Sequence, residues 1–222
     1  MSIDVFLFRM SQATEQLVSI PVENVELEGT LAVPGGARGL VIFSHGSGSS
    51  RKSPRNNFVA EVIRERGLGT LLFDLLTEEE DRVRENRFDI SLLTNRLIGA
   101  TEWLQTQDAT HGLHYGYFGS STGAASALRA AARRPADIDA VVSRGGRVDM
   151  ATAVLDEITV PTLFIVGGDD TEVLALNRDV HDRLSCETEL HVVPGAGHLF
   201  DREDELKEVV DVAADWFERT VQ

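Results

Sequence analysis

An α/β fold is what this sequence predicts: a mostly parallel, doubly wound sheet with an antiparallel hairpin at its N-terminal edge. Three observations carry the prediction. Apolar runs of strand length alternate with segments of helical periodicity, the pattern of a parallel sheet covered on both faces. The Gly-rich, polar loops at 45–51, 119–123, 144–147, 167–170 and 195–198 each follow one of those runs, and ligands of such sheets bind at strand carboxyl ends. His114 to Arg134 reads as a strand, a G-x-S-x-G pentapeptide and an Ala-rich helix in succession.

Residues 1–15 lack periodicity and read as an N-terminal extension, leaving 16–222 as one domain. Val18, Ile20 and Val22 alternate along the chain, and Val25, Leu27, Gly29, Leu31 and Val33 alternate again. Period-two alternation marks half-buried antiparallel strands, hence a hairpin closed off by Pro34-Gly35-Gly36. Gly39 to Ser44 is continuously apolar, as befits a strand buried on both faces. Ser53-Pro54 has the form of a helix N-cap followed by proline; Phe58, Val59, Val62 and Ile63 form the expected core face, and Gly67 ends the helix. Leu68 to Leu76 is the next strand. The acidic stretch Thr77 to Asp89 reads as a solvated loop or helix start, and its consecutive carboxylates diverge too much for a metal site. Leu93, Leu97, Ala100 and Leu104 mark a helix. Asp139–Ser143 and Pro161–Gly168 are short buried strands separated by a partly helical 148–159. Val173, Leu176, Val180 and Leu184 mark another helix, Leu190–Val193 the last strand. Asp201 is placed to cap a final helix with core face Leu206, Val209, Ala213, Trp216 and Phe217.

Composition narrows the function classes. A chain of 222 residues supports one substantial core. No apolar run approaches the roughly 18 residues that span a membrane, and Val5-Phe6-Leu7-Phe8 lacks a basic flank, so a cytoplasmic protein is expected. A formal charge of −15 disfavours nucleic acid and anionic membranes as partners. The single cysteine, Cys186, forbids an intrachain disulfide and a cysteine-based metal cluster. Lys52 and Lys207 are the only lysines, a composition fitting a salt-adapted or GC-rich source. Neither metal nor cofactor is expected. The expected partner is a small-molecule ester substrate, and a homodimer is left open.

The pentapeptide Gly119-Ser120-Ser121-Thr122-Gly123, between a strand and a helix, is the context of a nucleophile elbow. The turn would lift the Ser121 hydroxyl above the sheet edge, and the helix N-terminus favours developing negative charge. A serine hydroxyl needs a base. Of six histidines, His198 stands in a small-residue loop, GAGH, after the last strand. His45 precedes a Gly/Ser loop; His111 and His114 lie at the wrong end of the elbow strand; His181 is in a helix and His191 in a strand. His198 is therefore the candidate base. The base needs a carboxylate to fix its tautomer, and Asp169 or Asp170, directly after TLFIVGG, supplies it.

HGSGSSR, GSSTG, GGDDTEV and PGAGHLF, in this order, resemble the α/β-hydrolases and, more narrowly, the dienelactone hydrolase-like branch, over roughly residues 16–220. The resemblance implies a triad Ser121, Asp170, His198, with G-G-x-D-x-x-V selecting Asp170 over Asp169. It also implies that His45-Gly46-Ser47 is an oxyanion loop, with the backbone N–H groups of Ser47 and Thr122 as donors. Dienelactone hydrolases carry cysteine where this chain has Ser121, which favours ordinary ester hydrolysis through an acyl-enzyme. Thioester, lactone or organophosphate ester hydrolysis by the same residues is the alternative, and a non-catalytic interaction protein the reading from another class. No lid-sized insertion separates Ser143 from Thr162, so an open site is expected. Arg51, Arg55 and Arg144, with Arg147, gather near one rim as candidate substrate-binding cations; the alternative is that they pair with acids such as Asp74 or Asp149.

Overall fold

The computed structural model describes residues 14–222; the expected N-terminal extension lies, up to residue 13, outside the described residues. The strands are β1 (Gln16–Val22), β2 (Val25–Ala32), β3 (Gly39–Ser44), β4 (Gly69–Phe73), β5 (His114–Ser120), β6 (Ala140–Arg144), β7 (Thr162–Gly167) and β8 (Thr188–Val193). They form one sheet in the order β1-β2-β4-β3-β5-β6-β7-β8. β1 pairs antiparallel with β2, and β2 antiparallel with β4. Every pairing from β4 across to β8 is parallel. The N-terminal hairpin sits at one edge because its outer strand has one wet face: Ile20 and Val22 are buried, Ser19 and Pro21 exposed.

The central strands are buried on both faces, and their alternating side chains feed two cores. Leu40, Ile42, Leu71, Tyr117 and Phe164 pack under α3 (Ile90–Thr106) and α4 (Thr122–Arg133). Val41, Phe43, Leu72, Phe118 and Val142 pack under α1 (Pro54–Glu65) and α6 (Glu203–Thr220). The Ala-rich composition of α4 suits its position, since six of its alanines are buried. The 3₁₀ segment Val148–Glu157 buries Val148, Ala151 and Leu155 in the first core. The chain between β6 and β7 is thus used for packing, and among the described residues it does not form a lid. No helix is long and apolar enough to cross a membrane among the described residues.

Two local expectations need correction, and a third gains detail. Phe58 stays 37% exposed, because the inward face of α1 is Asn56, Val59, Ala60 and Ile63; Phe58 lies one residue off that stripe. Asp201 does not cap α6, whose N-cap is Arg202; its carboxylate pairs instead with Arg55. The acidic stretch, expected as a solvated loop or helix start, holds a helix start. Thr77 and Glu80 form a capping box on the short helix α2 (Glu78–Asp81). Glu80 also accepts at 2.7 Å from Nη2 of Arg96, an arginine only 4% exposed.

Phe217 is fully buried at the centre of the second core. Phe217→Ala should therefore cost about 3–5 kcal/mol through lost transfer energy and a residual cavity. Phe58→Ala should cost well under that. Urea unfolding of the two variants checks the contrast.

Candidate active site

Sheet order assembles the site. β5 lies between β3 and β6, with Ser44 beside Gly119 and Ser120 beside Arg144 in register. β7 and β8 continue the sheet, with Gly167 beside Val193. All five strands are parallel, so their carboxyl ends open on one edge. The loops carrying His45, Ser121, Asp170 and His198 leave from that edge side by side, and Arg144 ends β6 there.

Ser121 joins β5 to α4 at φ 51°, ψ −120°. A non-glycine residue in this region carries on the order of 1–3 kcal/mol of strain. Neighbouring backbone fixes it there: Ser121 N–H donates to the carbonyl of Arg144 at 3.1 Å, and Arg147 N–H donates to the carbonyl of Ser121 at 3.0 Å. Gly123 is required by close approach, because a Cβ there would lie 2.0 Å from the carbonyl oxygen of Ser44.

His198 Nδ1 lies 2.6 Å from Asp170 Oδ2. Asp170 is largely sheltered and Asp169 is exposed, so the structure sets Asp170 against the ring. A carboxylate at Nδ1 favours the tautomer with the proton there and a free lone pair on Nε2. Ser121 and His198 line the same cavity, of about 530 Å³. No direct hydrogen bond joins them among the described residues.

The loop after β3 crosses the other side of Ser121. Ser47 N–H donates to Thr122 Oγ1 at 2.9 Å. The two residues expected to hold an oxyanion are brought together, but the Ser47 donor is occupied by a hydroxyl that backbone reasoning overlooked. His45 is an orienting residue that the sequence flagged only by its place before the loop. Its Nε2 accepts from Leu75 N–H at 3.1 Å, and its Nδ1 lies 3.0 Å from the carbonyl of Gly46. An acceptor role at Nε2 places the proton on Nδ1. Burial pushes the His45 pKa down, against smaller raising effects from the Gly46 carbonyl and Asp74. The ring is thus held neutral, tying the loop to the end of β4.

The four arginines separate. Arg51 binds Asp74 through both backbone N–H and guanidinium, and also reaches Glu28. It is spent on carboxylates and does not line the Ser121 cavity, so its assignment to substrate is corrected. Arg147 is held bidentately by Asp149 at 2.9 and 2.8 Å. Arg55 lines the cavity while pairing with Asp201. Arg144 also lines the cavity but has no ion-pair partner among the described residues, and its buried Nε and Nη1 have no hydrogen-bond partner. Its guanidinium stands 5.9 Å from the centre of the Phe200 ring. Burial, and then the charge of Arg55, push its pKa down to about 10, which leaves it cationic at neutral pH.

Comparison with known proteins agrees with this architecture. The model of the dienelactone hydrolase family matches residues 29–222. A dienelactone hydrolase structure from Anabaena variabilis superposes with a TM-score of 0.93 at 49% identity, covering 95% of this chain and 100% of that one. A dienelactone hydrolase-like promiscuous phosphotriesterase from metagenomic libraries gives 0.80 at 16% identity, covering 95% and 100%; this shows the fold alone. Proteins from two strains of Mycobacterium tuberculosis, which carry a phosphoribosyl transferase name, are 51% identical over 91% of this chain. The chain spans 46% of their length. The chain belongs to the dienelactone hydrolase family.

His45 predicts a pH dependence of stability. The unfolded ring protonates near 6.5, whereas the buried ring resists protonation. The contribution is therefore present above about pH 6.5 and lost as pH falls below it, since the unfolded chain then binds the extra proton. Urea unfolding at pH 7.5 and 5.5 should show a loss in wild type that is smaller in His45→Gln.

Proposed function

We propose that this member of the dienelactone hydrolase family is a serine hydrolase, cleaving carboxylic esters of small soluble substrates through an acyl-enzyme. The observation that carries the reading is the strained Ser121 elbow opening on the same cavity as a His198 ring engaged by Asp170. In this reading Ser121 Oγ attacks the ester carbonyl carbon while His198 Nε2 takes its proton. The carbonyl oxygen becomes an oxyanion, received by the backbone N–H groups of Thr122 and Ser47. For Ser47 this requires exchange, its N–H leaving Thr122 Oγ1 for the substrate oxygen. Collapse breaks the ester bond, and the alcohol leaves with the proton from His198. Water, deprotonated by His198, then attacks the acyl carbon. The acid departs and Ser121 recovers its proton.

Asp170 holds the ring in the productive tautomer and stabilises the imidazolium formed at each transfer. The transferase name of the M. tuberculosis proteins belongs to chains about twice as long; the residues described here are suited to acyl transfer to water. Thioesters and lactones would be handled by the same groups, and a panel of nitrophenyl esters, thioesters and lactones ranks them.

Ser121→Ala should lower kcat by roughly 10⁶-fold and abolish labelling by a fluorophosphonate. Steady-state rates near wild type in that variant would exclude Ser121 as nucleophile.

Asp170→Asn should lower kcat by up to about 10⁴-fold through the wrong tautomer, and Asp169→Asn by little. Steady-state kinetics of both variants provide the check, and the reverse ranking would move the role to Asp169.

A further inference from the structure

The cavity at Ser121 is chemically one-sided. In a chain of net charge −15, Lys52, Arg55 and Arg144 line it, and no carboxylate does among the described residues. Two carboxylates that touch its lining residues are already engaged, Asp170 on His198 and Asp201 on Arg55. Six serines line it as well, along with the N-terminal turn of α1, a twelve-residue helix with no acidic residue in its first turn. Pro54 brings no N–H and Asn56 N–H is capped by Ser53 Oγ, so what this terminus offers an anion is chiefly the helix dipole.

Arg144 gives this wall its meaning. It ends β6, in register with Ser120, and two of its guanidinium nitrogens are buried without any acceptor. A buried guanidinium lacking a counter-charge is costly, and Arg55 is near enough to add repulsion. Arg51 and Arg147, by contrast, are each neutralised by carboxylates. Replacing buried ionic groups by well-packed apolar side chains of similar volume is often neutral or stabilising, so packing on Phe200 is a weak reason for a charge here. An arginine facing a cavity, free of acid, is matched to an anion that comes and goes.

We infer that Arg144, assisted by Arg55, binds a phosphate group carried by the ester substrate, away from the scissile carbonyl. A phosphate monoester brings a charge of about −1.5 to −2 at neutral pH and three acceptor oxygens, enough for two guanidinium forks; a carboxylate brings one charge and two oxygens. The inference rests on the reading of Ser121 as nucleophile only in placing this phosphate on the hydrolysed ester.

The test has a kinetic arm and a binding arm. Nitrophenyl esters whose acyl chains end in a phosphate, a carboxylate or a methyl group are compared by kcat/KM. The phosphate ester should lead both others by roughly 10-fold or more, and the lead should shrink to within about twofold in Arg144→Met. Arg147→Met, whose side chain is turned to Asp149, should keep it. In the binding arm, inorganic phosphate, against chloride at equal ionic strength, should raise the Tm of wild type by roughly 3 °C or more at saturation. Arg144→Met should lose that shift while its own Tm holds or rises; should it not fold, Arg144→Lys keeps the charge and should lose most of the lead with the fork. Equal kcat/KM for the three esters, a carboxylate preference, or a phosphate lead that survives loss of Arg144 would overturn the inference. Turnover without a preference or a Tm shift sinks the phosphate site and spares the esterase. A phosphate-dependent Tm shift without turnover of any ester does the reverse.

Discussion

The strained backbone of Ser121 is the constraint on which the site depends. Its left-handed φ exists only because β5 and α4 are pinned on both sides of it. Gly123 lets α4 approach the carbonyl of Ser44, and the segment after β6 grips both polar groups of the Ser121 peptide backbone. The strain is therefore borne by the sheet: the pairings of β3, β5 and β6 would have to loosen before the elbow could relax. The same segment carries Arg144, so the residue that fixes the position of the hydroxyl also brings a cation to its cavity.

Hydrogen bonds of short loops complete the edge. The neutral His45 ring ties the β3 loop to the end of β4, and Ser47 reaches across to the first side chain of α4. These contacts join loops from strands that are neighbours in the sheet, which is why strand order determines the site more directly than any loop conformation. Parallel pairing opens all the relevant loops to the same edge. Asp170 and His198, from β7 and β8, thereby meet at 2.6 Å although 28 positions separate them in the chain.

The acidic balance of the chain sharpens the contrast among its arginines. Arg51, Arg66, Arg96 and Arg134 each touch two carboxylates. Arg144, by contrast, has no carboxylate partner among the described residues although its Nε and Nη1 are buried, and it lies at the cavity that holds Ser121. Exposed pairs such as Arg55 with Asp201 contribute little to stability and leave the cation available to a ligand.

Local patterns in the sequence determined the strand and helix succession, the hairpin edge, the elbow at 119–123 and the loop ends at which functional groups gather. They did so because periodicity, proline and glycine act within a few residues of themselves. Phe58 and Asp201 went astray because a helix face, and the choice between capping and pairing, depends on what packs opposite. Side-chain partnership was decided only in three dimensions. Arg51 meets Asp74 across 23 positions and Arg55 meets Asp201 across 146, so composition near a loop could not say which cations were neutralised. Nor could it show that Thr122 Oγ1 occupies the Ser47 donor, since that bond links two strands' loops. Electrostatic and hydrogen-bond partners are set by distance through space, and the folding of β3, β5 and β6 side by side is what creates those distances.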